Sequence, residues 1–143
     1  MNSPKDIFHK ISYLQYPLIL VSVFYYARFI ATFGESINWQ ECNSALVFYG
    51  LSISMSTLQD TTKTQNKLSR KIWEHPRNGK IALFFIAMLV MLFLVYGLIG
   101  FINSRESVHK EISFGVIVIG IGLTGVLKSA IEMFENHRTD KHR

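Results

Sequence analysis

Residues Ile81 to Ile102 read IALFFIAMLVMLFLVYGLIGFI, 22 positions without one charged or amide side chain. A helix rises about 1.5 Å per residue, so this run reaches roughly 33 Å and matches a hydrocarbon core of about 30 Å. A soluble amphipathic helix would carry one apolar stripe and one charged face, and this run has no such division. It reads as a transmembrane helix, and the rest of the chain is best read around it.

Three further apolar segments flank it. The stretch 13–33 (YLQYPLILVSVFYYARFIATF) has aromatic residues at its margins, where membrane interfaces favour them. Residues 43–62 begin with NSALVFYGLSISMSTL, a short serine-rich core that reaches spanning length only with Gln59 to Thr62 at the boundary. The last segment, 112–131, starts ISFGVIVIGIGLTGVL and is completed if Lys128 snorkels to the interface. The expected fold is therefore an all-α integral membrane protein of four transmembrane helices forming a single domain over residues 1–143.

Basic residues orient this arrangement, because Lys and Arg accumulate in short cytoplasmic segments. Lys5 and Lys10 precede the first helix, Lys63, Lys67, Arg70, Lys71, Arg77 and Lys80 lie between the second and third, and Lys128, Arg138, Lys141 and Arg143 follow the last core. That places 12 of the 15 basic residues on one side and predicts both ends inside. The formal charge of +5 is thereby explained by topology, and no nucleic-acid motif accompanies it. No small-residue cleavage site follows the first apolar run, which reads as a retained anchor. Cys42 is the single cysteine, so an intramolecular disulfide is excluded. Short loops and the lack of an organellar signal suggest a bacterial inner membrane.

The segment 61–80 is longer than a helical hairpin needs. Thr61 to His75 contains neither Gly nor Pro, and Leu68 and Ile72 follow helical spacing. The expectation is a basic amphipathic helix on the cytoplasmic surface, with Leu68, Ile72 and Trp73 toward lipid and Lys63, Lys67, Arg70 and Lys71 near anionic headgroups or a partner. Pro76 should end it, and Asn78-Gly79 should turn the chain into the third span.

Four groups of residues are candidates for function. Tyr49, Ser52, Ser56 and Asp60 recur at three- and four-residue spacing and could line a polar path, although hydroxyls bonded to neighbouring helices explain the same pattern and are favoured. Arg28, Lys128 and Glu132 are candidate buried charges, with snorkelling of Arg28 and a surface Lys128–Glu132 pair as the plainer readings. Gly115, Gly122, Gly125 and Ser129 form a small-residue seam suited to helix packing within the molecule or between subunits. Lys63, Lys67, Arg70, Lys71 and Trp73 make up the membrane-surface or partner contact.

No motif with an established chemistry occurs, the histidines lie outside the apolar cores, and the carboxylates are scattered. No cofactor or metal is expected. The leading expectation is a non-enzymatic membrane protein acting as a homo-oligomer or as a subunit of a larger assembly. An oligomeric ion channel or depolarising effector comes second. An enzyme acting on lipid or quinone through Asp60, Glu132 and nearby tyrosines comes last.

Overall fold

The computed structural model describes residues 4–32, 37–59 and 71–139. Its helices are α1 (Pro4–Ser12), α2 (Gln15–Ala31), α3 (Trp39–Ser56), α4 (Pro76–Asn103) and α5 (Ser107–His137), and no strand occurs among the described residues. Three stretches are long and apolar enough to cross a membrane: Ile7–Ala31, Pro76–Asn103 and Ser107–His137. α3 is 18 residues long, or roughly 27 Å, but too polar to be counted with them.

Burial in this molecule departs from a water-soluble core, since Val90, Ile119 and Phe134 share the interior with polar side chains while most large apolar ones lie outside. Ser12, Gln15, Ser22, Glu41, Ser52 and Ser113 are buried, while Leu20, Phe84, Tyr96 and Ile102 are 70%, 67%, 70% and 68% exposed. Polar side chains face neighbouring helices and large apolar ones face outward, as a lipid solvent requires.

The helices form a row in which α2 packs on α3, α3 on α5, and α5 on α4. Residue pairing fixes the directions. Ser22 meets Ala45 and Gln15 meets Ser52, so α2 and α3 are antiparallel. Gly115 lies against Asn43, Gly122 against Gly50, and Ser129 bonds Thr57, so α3 and α5 run parallel with seven residues between successive contacts. Gly97 faces Ile117 and Gly79 faces Phe134, which makes α4 and α5 antiparallel. Consecutive helices α3 and α4 are therefore held on opposite flanks of α5, roughly 16–20 Å apart at normal interaxial spacings. That separation is why the connection between them must be long.

Several boundaries differ from the sequence expectations. A helix precedes the expected 13–33 span, because α1 runs up to Ser12 and a tight turn at Tyr13–Leu14 leads into α2. Pro17 accounts for the break: it has no N–H for the Tyr13 carbonyl, which accepts from Tyr16 N at 3.2 Å instead. The expected span 43–62 is α3, which starts earlier at Trp39, where the Asn38 side chain accepts from Gln40 N. It closes in i→i−3 bonds from Thr57, Leu58 and Gln59, and residues 60–62 lie outside the described residues. The third and fourth helices outrun their apolar cores of 81–102 and 112–131, since backbone bonding continues into polar flanks that hydropathy does not mark.

The expected Asn78-Gly79 turn is not there. Residues 71–73 are helical, His75 is extended with φ −89° and ψ 117°, and Pro76 opens α4 at its first turn. Proline suits that position because its missing N–H would have no intrahelical partner. Gly79 N then donates to His75 O at 3.0 Å, and the absent side chain of Gly79 leaves room for the Phe134 ring. Residues 76–80 of the expected surface segment thus belong to α4. The remainder of that segment through Arg70, with Lys63 and Lys67, lies outside the described residues.

Candidate functional site

The polar groups of the span concentrate on α3 and the two helices that flank it. On the α2 side two hydroxyl bonds face each other. Ser22 Oγ donates to Ala45 O at 2.8 Å, and Ser52 Oγ donates to Gln15 O at 3.0 Å, each bond buried and each donor seven residues from the acceptor on its own helix. Both acceptors are helix carbonyls with a second lone pair, so the bonds pin α2 to α3 without breaking either helix. Tyr25 stacks on Phe48 with centroids 5.6 Å apart along the same seam.

At the far end of this seam Arg28 Nη2 lies 2.9 Å from Glu41 Oε1. Of the two readings of Arg28, the exposed side chain is the one seen: it is 57% exposed, whereas that of Glu41 is 10% exposed. Arg28 also lies over the Phe24 ring, 5.8 Å from its centroid. Glu41 Oε2 is buried with no hydrogen-bond partner, as is Asn43 Oδ1, which presses against Gly115. Lys128 and Glu132 are likewise exposed, 3.8 Å apart and one turn from each other on α5. Their long stems reach past the packed surface, so neither charge enters the interior.

The residues considered for a polar path separate. Ser52 is directed into the α2 seam, and Ser56 Oγ donates to Ile53 O of its own helix at 2.6 Å. Tyr49 points elsewhere, into a cleft of about 320 Å³ shared with Ser22, Val23, Tyr26, Ala45 and Leu46. Asp60 lies outside the described residues. Ser54 and Thr57 also bond backwards, to Gly50 O and Ser54 O.

The small residues of α5 meet α3 along its opposite face. A Cβ on Gly50 would lie 2.8 Å from the main chain of Val118 and Ile119, and one on Gly122 would lie 2.6 Å from Gly50 O. Gly125 faces Thr57, and Ser129 Oγ donates to Thr57 O at 3.1 Å. The stripe Asn43, Gly50, Thr57 is thus matched to the stripe Gly115, Gly122, Ser129. On its other side α5 receives α4, with Gly97 against Ile117 and Gly120 against Leu94.

At the end carrying both termini, the C-terminal turn of α5 closes over the start of α4. Thr139 donates to Glu74 O through its N–H at 3.2 Å and its hydroxyl at 3.0 Å. Arg138 lies over the Phe134 ring and pairs with Glu135 at 3.3 Å. Lys71 is exposed and Trp73 half-buried beside this knot, while Lys63, Lys67 and Arg70 lie outside the described residues.

Sequence reasoning missed Ser22 and Asn43. Ser22 stands seven residues from Gln15 in an otherwise apolar segment, a spacing that marks one helix face and could have revealed the seam. Among the described residues no three or more His, Cys, Asp or Glu side chains group as metal ligands would. No family model matches the chain, and no curated protein or solved structure is similar to it.

Proposed function

We propose that the chain is a four-span membrane protein with both termini in the cytoplasm, acting without catalysis as a subunit of an oligomer or of a larger membrane assembly. The observation that carries this reading is the use made of α3. Its hydroxyls at Ser52, Ser54, Ser56 and Thr57 all donate to main-chain carbonyls, and its glycine is pressed against α5. A helix lining an aqueous path would turn hydroxyls toward water, whereas here Ser52 bonds across to α2 and Ser54, Ser56 and Thr57 bond back to carbonyls of their own segment. α3 then serves as the fourth span despite its polarity, because α2 and α5 cover it on two sides. The basic residues between α3 and α4 and in the first turns of α4, with Lys71, Arg77 and Lys80 exposed in the described part, form the surface for anionic headgroups or a partner. The positive charge on that side suits a bacterial inner membrane.

The test is ion flux from liposomes holding the purified protein, compared with Asp60→Asn and Ser56→Leu variants at equal density. Flux equal to that of empty liposomes is the expected result. Robust flux altered by these substitutions would overturn the subunit reading in favour of a conducting oligomer.

A further inference from the structure

The start of α4 carries two exposed cations, Arg77 and Lys80, directly ahead of the most apolar run in the chain. Taking 100° per residue, Lys80, Ile81, Phe84 and Met88 all lie within about 60° of Arg77 on the helix surface. Ile81, Phe84 and Met88 are exposed. The buried residues of α4, Gly79, Val90 and Gly97, lie roughly 140–160° from Arg77, and the two glycines are pressed against α5. The two cations therefore head the column of apolar side chains that α4 turns away from α5.

Their depth follows from the helix rise. With Ile81 to Ile102 filling the hydrocarbon, Lys80 and Arg77 stand about 1.5 and 6 Å beyond its edge, inside a headgroup layer roughly 5–7 Å deep. Neither cation has an ion-pair partner among the described residues. Glu74, the carboxylate nearest in sequence, is half-buried and already engaged. A third exposed cation is tied to the same turn, because Asn78 Nδ2 donates to Lys71 O at 3.4 Å.

This juxtaposition selects its occupant. Unpaired Arg and Lys side chains at one level match a phosphate. Free phosphate or an acidic peptide would satisfy the cations and leave the apolar column beneath them unmatched. A molecule with an anionic head and a hydrocarbon tail satisfies both.

We propose that Arg77 and Lys80, with Lys71 beside them, bind the headgroup phosphate of an anionic phospholipid whose acyl chain lies along Ile81, Phe84 and Met88. The proposal rests on the reading that this end of α4 stands at the cytoplasmic surface of a bilayer, and it assigns that basic surface to lipid.

The full-length protein is released from vesicles of equal phosphatidylglycerol and phosphatidylethanolamine content, and its bound lipid is read by native mass spectrometry. Phosphatidylglycerol should be retained in excess. Arg77→Gln and Lys80→Gln, both at exposed positions, should each lower the ratio of the two lipids about five-fold. Lys110→Gln removes the same charge from an exposed position at the opposite end and should leave the ratio unchanged. Excess inorganic phosphate should not displace the lipid. A ratio near one in the unaltered protein, or an equal drop in Lys110→Gln, overturns the proposal in favour of diffuse charge attraction. Displacement by inorganic phosphate overturns it in favour of a phosphate site without a lipid tail. Loss of a bound protein chain in Arg77→Gln, with the lipid ratio unchanged, overturns it in favour of an acidic partner. Alkylation of Lys80→Cys by an impermeant maleimide, in a Cys42→Ser background, separates the two levels of failure. Reaction in inverted but not right-side-out vesicles leaves the cytoplasmic reading standing whatever the lipid does, and the reverse pattern overturns both.

Discussion

α3 and α4 pack on the same helix, α5, with opposite compositions. α4 stands at the end of the row with one neighbour; it is the most apolar of the candidate spans, and only 11% of its most apolar window is buried. α3 stands inside the row, flanked by α2 and α5, and carries Asn43, Gly50, Ser52 and Ser54 along its length with Thr57 at its C-cap. The difference follows from what each helix touches. Lipid tails are as apolar as leucine, so a lipid-facing helix gains nothing from small or polar groups, whereas a flanked helix holds its partners through close backbone approach and interhelical hydrogen bonds. Hydropathy therefore ranks these helices by exposure to lipid, and the helix it ranks lowest is the one that organises the fold.

The comparison breaks first at Gly50. A side chain there meets the Val118–Ile119 main chain, which cannot rotate away as a flexible side chain would. Gly50→Leu should force α3 and α5 apart and cost about 3 kcal/mol, the upper end for overpacking. Reversible unfolding in mixed detergent micelles reads this directly. A cost near zero would mean that the parallel α3–α5 seam does not form.

Next in size is the Arg28–Glu41 pair. Arg28 is too exposed for its own charge to matter much, so the effect of Arg28→Ala comes from Glu41, left buried with both oxygens unpaired. A loss of about 1–2 kcal/mol is expected, much of it recovered in the double variant Arg28→Ala, Glu41→Gln. If the double variant is as unstable as the single one, the packing of the arginine stem over Phe24, and not the orphaned carboxylate, is the cause.

Ser22→Ala and Ser52→Ala should each cost about 0.6 kcal/mol, the average for an interhelical bond in a membrane. Because the two bonds lie seven residues apart on each helix and share no partner, their effects should add in the double variant. Strong non-additivity in the same unfolding assay would show that α2 docks as an all-or-none element.

How much of this was readable in advance depended on which solvent a residue faces. The Ile81–Ile102 core and the glycine-serine stripe of α5 stand out in sequence because lipid demands one pattern and helix contact the other. The partner stripe Asn43, Gly50, Thr57 has the same seven-residue spacing, yet it shares α3 with a second polar face at Tyr49, Ser52 and Ser56, and one sequence does not say which face meets which neighbour. The parallel pairing of α3 with α5 was illegible for the same reason: four antiparallel-connected spans invite a ring of sequential neighbours, and only the register of the two stripes reveals the row. The helix start at Pro76 was hidden by Asn78-Gly79, a turn signal overridden by the fit of Phe134 against Gly79.

The smallest expected effect is the one that tests the other half of the comparison. Leu92 on α4 is 55% exposed, and in a soluble protein truncating a leucine that packed on its neighbours would cost about 2–5 kcal/mol. If α4 faces lipid as its composition implies, Leu92→Ala only exchanges one apolar surface for another in both folded and unfolded states, and the change should stay within about 0.5 kcal/mol. A large loss would place a protein surface against that face, and α4 would then be an interior helix of an assembly. Within an oligomer the row would have its end covered, and the distinction between a flanked α3 and an exposed α4 would belong to the isolated chain alone.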